Sequence, residues 1–223
     1  VYNEDLNLKK LTLEINQSLA QKYNYEIIFV NDGSTDNSIN VINELQKNYS
    51  NIKLIDFKKN SGQSYCIYKG IENSKYDSIV TIDADLQNDP FDIPKLAQIY
   101  FDNYPKYQMI GGLRLKRKDS IVKIYSSKLA NKIRKLILND KCDDTGCSLK
   151  IFDKNEFLKL NYFKSMHRFL PALFIALNNK NLFINVNHRY RTYGISKYGT
   201  IDRFLRGIID IFRVLIIIRN LKK

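Results

Sequence analysis

A chain of 223 residues with 44% hydrophobic side chains has the material for one domain with a sizeable core and is too apolar for a disordered segment. A formal net charge of +13 and a pI near 9.5 predict a polyanionic partner, whether nucleic acid, an anionic membrane or a phosphorylated substrate. Three cysteines and two histidines supply neither a disulfide framework nor a zinc site, so Cys142 and Cys147 are expected to be reduced packing residues, as in a cytosolic protein.

The chain opens on VYNEDLNLKK, without an initiator Met or a leader pattern, and a first strand is expected to be missing before Val1. Leu6, Leu8, Leu11, Leu13, Ile15 and Leu19 recur at loose helical spacing. YEIIFVND is a short apolar strand ending at Asp32. STDNSINVINELQKNY begins with capping residues and sets Ile39, Ile42 and Leu45 on one helical face. The strand IKLIDFKK, a small-residue turn into a helix at SGQSYCIYKGIENS, the strand YDSIVTIDADL and the helix PFDIPKLAQIYFDNY follow. Alternating strands and helices with short turns predict an α/β fold with a mostly parallel central sheet and helices on both faces. Ligands in such sheets bind beyond the carboxyl ends of the strands, which places Asp32, Asp83 and Asp85 along one crevice.

The second half is less regular. MIGGLRLKRKD reads as a strand entering a basic loop. Residues 121–138 read as a basic amphipathic helix, with Ile121, Ile124, Tyr125, Leu129, Ile133 and Leu136 on its apolar face and Lys123, Lys128, Lys132, Arg134 and Lys135 on the others. CSLKIFDKNEFLKL reads as strand, turn and helix, HRFLPALFIALNNK as a helix, and NLFINVNHRYRTYGISKYG as a strand running into a basic aromatic loop. In residues 204–223, Arg206, Asp210 and Arg213 interrupt the apolar run. That pattern suits either a helix lying on a membrane surface or one docked on the domain or on a partner.

The stretch SIVTIDADLQNDP carries the chemistry. Strand formers end in Asp83, Asp85 and Asp89, with Gln87 among them. Acids grouped at the end of a buried strand repel one another unless a cation or a set of donors offsets the charge. A solvated turn capping the next helix is the plainer alternative. Two carboxylates and an amide can hold Mg²⁺ or Mn²⁺ while leaving positions open for diphosphate oxygens. Neither a G-x-x-x-x-G-K-[ST] loop nor a G-x-G-x-x-G turn occurs, which removes the common nucleotide fingerprints.

Seven segments in order, VYNE, VNDGSTDNS, NSGQSYCIYKG, DADLQNDP, DTGCSLKIF, MHRFLPAL and HRYRTYGISKYG, span nearly the whole chain. Together they resemble the family 2 glycosyltransferases of GT-A fold, in particular the polyprenyl- and dolichyl-phosphate sugar synthases such as dolichol-phosphate mannose synthase. The resemblance implies a catalytic domain over residues 1–203, followed by the amphipathic helix 204–223. It implies that Tyr2, Glu4, Val30 and Asp32 hold base and ribose, and that Asp83 and Ala84 line the nucleotide-sugar. Asp85 and Gln87 are the implied metal ligands, with Asp83 and Asp85 catalytic. Arg114 is placed near sugar and phosphates, and Arg191 and Lys197 clamp the diphosphate as further catalytic groups. Lys123 and Ser127 fall where relatives bind the acceptor phosphate, and Asp144 faces the acceptor. The implied partners are a UDP- or GDP-linked sugar, a polyprenyl phosphate, an anionic membrane surface at the cytoplasmic face and a possible membrane-protein partner. The chain departs from the pattern at its start, where the strand and proline before VYNE are missing, and at its end, where many relatives carry transmembrane helices. A protein or glycan acceptor, or a non-catalytic anion-binding membrane scaffold, are the competing expectations. Nucleic acid is disfavoured, because the basic stretches contain no base-reading motif.

Overall fold

The computed structural model describes residues 1–114, 131–191 and 200–221, with only the backbone given for 200–206 and 208. Helix α1 (Asp5–Leu19) buries Leu8, Leu11, Ile15 and Leu19, while Leu6 and Leu13 point outward. Strands β1 (Ile27–Asp32) and β2 (Ile52–Phe57) pair in parallel, with Ile27 opposite Ile52 and Asp32 opposite Phe57. The crossover is α2 (Ser38–Asn48), which buries Val41, Ile42 and Leu45. Next come α3 (Gln63–Glu72), β3 (Ser78–Thr81) and, after a 3₁₀ turn at Pro90–Asp92, α4 (Ile93–Asn103). These are the elements that hydrophobic periodicity predicts.

Strands β3, β4 (Met109–Arg114), β5 (Lys150–Asp153) and β6 (Asn181–Val186) form a second sheet in the order β3-β5-β4-β6. β4 and β6 are parallel, but β5 runs antiparallel to both β3 and β4. The parallel expectation therefore holds for β1–β2 and β4–β6 and is reversed at β5. Both faces of β5 are buried although its ends are Lys150 and Asp153. Both charges are absorbed locally. Lys150 Nζ donates to the carbonyls of Thr145 and Cys147, while Asp153 accepts Tyr104 O–H at 3.1 Å and caps α6 (Lys154–Leu158) through Glu156 N–H at 2.9 Å.

Two apolar cores result. One joins α1, α2 and α4 to the sheets; the other joins β3–β5 to helix α5 (described over 131–138), α6, α7 (Leu170–Ala176) and α8 (Thr200–Leu221). Two expectations for the basic helix are corrected here. Arg134 is buried, not on a basic face: its guanidinium bonds Asp140 at 2.6 Å, Thr145 Oγ1 at 2.5 Å and the Cys142 carbonyl, tying α5 to the loop before β5. Leu136, assigned to the apolar face, is 86% exposed. The part of the expected helix over 121–130, with Lys123 and Ser127, lies outside the described residues, as does Lys197. The three cysteines are free and buried, and burial pushes the Cys66 and Cys142 thiols up to about 12, which suits inert packing residues.

Candidate active site

The amino-terminal residues lie along the end of β1: Val1 N donates to Val30 O and Asp32 N donates to Val1 O, both at 2.8 Å. The turn after β1 then holds residues 3–5 by their backbone. Ser34 Oγ accepts Asn3 N–H at 3.0 Å, Ser38 Oγ accepts Glu4 N–H at 3.1 Å, and Asp36 accepts Asp5 N–H at 3.1 Å. This brings Tyr2 and Glu4 to the rim of a cleft that Val30 and Asp32 also line. Asp32 and Ser34 do not cap α2. The Asp32 carboxylate instead accepts Ser61 N–H at 2.6 Å and Gly62 N–H at 3.1 Å. Gly33 permits this approach, having φ +71° and no room for a Cβ, which would stand 2.7 Å from the Lys59 carbonyl carbon.

The acids after β3 sit on a tight reversal. Leu86 takes φ +61° between Asp85 and Gln87 and is 2% exposed. A left-handed leucine is strained, and burial of its side chain in the core holds it there. Asp83, Ala84, Asp85 and Gln87 all line the cleft. Gln63 Nε2, at the start of α3, donates to Asp83 Oδ1 at 2.9 Å. Ser148 Oγ accepts Asp83 N–H at 3.1 Å and donates to Asn88 Oδ1 at 2.6 Å, fastening both ends of the reversal to the chain entering β5. Ser148→Ala is expected to destabilise the protein by about 1–2 kcal/mol, because Asn88 is buried and its Oδ1 loses the Ser148 hydroxyl. Urea unfolding checks this, with Ser148→Thr expected to recover most of the loss.

Cations face these acids. Arg191 bonds Asp85 Oδ2 at 2.5 Å and stands 3.7 Å from Glu4 Oε1. Arg114 holds Asp144 through both Nε and Nη2 at 2.7 Å, a bidentate pair that fixes the guanidinium plane at the cleft wall. Asp144 does not itself line the cleft; it orients Arg114. Burial, then the neighbouring charge of Asp83, pushes the Asp85 carboxyl up to about 6, against the opposing pull of the Gln87 N–H and Arg191.

The donor set fits a divalent cation shared with a ligand. Asp85 offers a sheltered carboxylate oxygen already turned to a positive group, and Gln87 shares its cleft. Among the described residues no three His, Cys, Asp or Glu side chains converge to enclose a metal. A hard cation held here would keep coordination positions for diphosphate oxygens or water. The cleft is about 1300 Å³ and extends from the acids to an apolar region between β1 and β3 lined by Ile28, Phe29, Ile79 and Val80.

Residues 1–160 match the family model described as glycosyl transferase family 2. The chain belongs to this family. An undecaprenyl-phosphate 4-deoxy-4-formamido-L-arabinose transferase from Shewanella sediminis is 34% identical, over 89% of this chain and 60% of its own length. A dodecaprenyl-phosphate galacturonate synthase from Rhizobium johnstonii is 30% identical, over 98% of this chain and 65% of its own length. The chain thus spans less than two thirds of the length of these relatives. Glucosyl-3-phosphoglycerate synthase from Mycobacterium tuberculosis, solved in complex with Mn²⁺, uridine-diphosphate-glucose and phosphoglyceric acid, superposes with a TM-score of 0.70 at 12% identity, over 95% of this chain and 76% of its own. The same enzyme solved with Mg²⁺ and uridine diphosphate gives the same TM-score of 0.70 at 12% identity. The likeness carries the expected GT-A fold.

Within this glycosyltransferase family 2 domain, sequence reading missed Gln63, Asn88 and Ser148. All three lie inside quoted motifs, but only the fold shows that they hold the acids. His167 bonds Ser64 Oγ through Nδ1 at 2.6 Å and ties the turn before α7 to α3. His188 is buried and bridges to Asn88.

Proposed function

We propose that this domain transfers a sugar from a UDP- or GDP-linked donor to a polyprenyl phosphate, using Mg²⁺ or Mn²⁺, at the cytoplasmic face of a membrane. The observation that carries the reading is the meeting of Asp83, Asp85, Glu4 and Arg191 at the strand ends of a glycosyltransferase family 2 fold. The two relatives, one an undecaprenyl-phosphate sugar transferase and the other a dodecaprenyl-phosphate galacturonate synthase, favour that acceptor. The neighbours solved with Mn²⁺ and uridine-diphosphate-glucose, or with Mg²⁺ and uridine diphosphate, favour the donor and the cation.

Tyr2, Glu4, Val30 and Asp32 are assigned to base and ribose, and Asp83 and Ala84 to the donor sugar. Asp85 and Gln87 would hold the cation, which supplies positive charge to the departing diphosphate. A phosphate oxygen of the acceptor attacks the anomeric carbon as the bond from that carbon to the diphosphate oxygen breaks, its electron pair leaving with the nucleotide. Arg191 and Lys197 offset the charge that develops, the large contribution in reactions of this kind. Arg114, held by Asp144, positions the donor. The acceptor is already anionic near neutral pH, so no strong general base is needed. Lys123 and Ser127 are assigned to its phosphate.

The test is a donor screen with Mg²⁺ or Mn²⁺ and undecaprenyl phosphate, detecting the glycolipid by mass. A lipid product that disappears with chelator is expected. Metal-dependent donor turnover with a soluble glycan or peptide, and none with the lipid, would overturn the acceptor; no turnover of any donor would overturn the reading.

A further inference from the structure

Arg191 stands where a cation bound to Asp85 would stand. Its guanidinium holds Asp85 Oδ2 at 2.5 Å and lies 3.7 Å from Glu4 Oε1. The other Asp85 oxygen is turned to its own reversal and accepts the Gln87 backbone N–H at 3.1 Å. The pair is sheltered, with side-chain exposures of 27% for Arg191 and 11% for both Asp85 and Glu4. Solvent therefore screens this site weakly, and its acids bind one positive group well.

Two positive groups compete for that oxygen. Mg²⁺ approaches a carboxylate oxygen to about 2.0–2.1 Å, and like charges so close in a sheltered site repel strongly. Resting on the metal-dependent reading above, we infer that Arg191 and the divalent cation exclude each other at Asp85, so that loading the cation releases Arg191 for the incoming diphosphate. The free protein is then electrically closed, with its acids satisfied by its own arginine. The cation alone binds poorly, because it must displace a bonded guanidinium. A nucleoside diphosphate gives the displaced guanidinium a new anionic partner, so cation and nucleotide promote each other's binding beyond the ligands they share. Such coupling is reciprocal by linkage.

The experiment measures binding of Mn²⁺ itself, from the electron paramagnetic resonance signal of the free ion, with and without UDP or GDP. Arg191→Gln is expected to bind Mn²⁺ alone about tenfold more tightly than the unaltered chain, close to the lower end of the range measured for close charge pairs. Saturating nucleotide should shrink or reverse that advantage, and an Asp85→Asn background should erase it. Arg191→Lys keeps a competing cation and should stay within about threefold of the unaltered chain. Arg189→Gln controls for net charge, since Arg189 is held by Glu14 and Asp89, both at 2.6 Å. Equal or weaker Mn²⁺ binding by Arg191→Gln, or an equal gain in Arg189→Gln, overturns the exchange while leaving the metal-dependent reading intact. Failure of every protein to bind Mn²⁺, even with nucleotide present, overturns that reading and the exchange with it.

Discussion

Asp85→Ala is expected to lower kcat/KM for sugar transfer by about a thousandfold or more, roughly 4 kcal/mol of lost transition-state stabilisation, without loss of the fold. The side chain is 11% exposed and carries the charged oxygen best placed to hold a cation against the leaving diphosphate. Folding does not depend on it. Its carboxyl is pushed up to about 6 by burial first and by Asp83 second, so the ionised form is less favoured in the folded chain than in the unfolded one. A raised carboxyl pKa opposes folding once the group ionises. The penalty is absent below the ordinary value of 3.8 and complete above about 6. Asp85→Asn in chelator is therefore expected to raise stability at pH 8 more than at pH 5, while activity is lost at both. Thermal unfolding and steady-state kinetics on one preparation check the pair of effects. Undiminished turnover of Asp85→Ala at limiting metal would remove the residue from the metal site. Gln87→Ala should lose less, because a neutral ligand contributes less to holding a divalent ion.

The elements of the first half were legible because each crossover helix buries one stripe and each strand is a short apolar run. Ile42 and Leu45 on α2 face the core as their spacing predicts, with Val41 beside them. The acid site was legible as a cluster at a strand end but not as a geometry. Spacing does not show that Leu86 turns left-handed, nor that Asn88 and Ser148, far apart in sequence, close the reversal between them. Amphipathic pattern also misled at α5. Periodicity distinguishes a helix's faces without saying which of them the fold covers. Arg134 was therefore read as surface charge, although a buried acid and a buried carbonyl receive it, and Leu136 was read as core although it faces outward. Strand direction at β5 depends on the long return from β4 and on the satisfaction of Lys150 and Asp153, neither of which leaves a local signature. Arg189 and Arg191, counted in a basic stretch, are each held by two acids that lie distant in the chain.

Replacing Ile209, Phe212 and Ile216 together by serine is expected to weaken attachment to anionic vesicles roughly 100-fold and to lower transfer to a lipid acceptor with it. Helix α8 presents two apolar faces. Ile211 and Val214 are 6% and 0% exposed and belong to the second core, so the helix is docked on the domain. Its opposite face leaves Ile209, Phe212 and Ile216 at 65%, 59% and 60% exposure, with Arg213 and Arg219 exposed as well. No helix among the described residues is long and apolar enough to cross a membrane. A docked helix with an apolar outer stripe and flanking arginines suits shallow insertion among anionic headgroups. Full burial of one such side chain is worth about 1.5–3 kcal/mol, and partial insertion of three leaves about 3 kcal/mol in all. Each arginine adds on the order of 1 kcal/mol that salt screens. Deleting residues 204–223 is a poorer test, because it strips Ile211 and Val214 from the core and confounds lost attachment with lost folding. The serine variant leaves those contacts in place. Co-sedimentation with vesicles containing anionic lipid, at low and high salt, measures the effect. Equal sedimentation of the two proteins, or none by either, would mean that the outer face of α8 is not the attachment surface and that a membrane protein brings this domain to its acceptor.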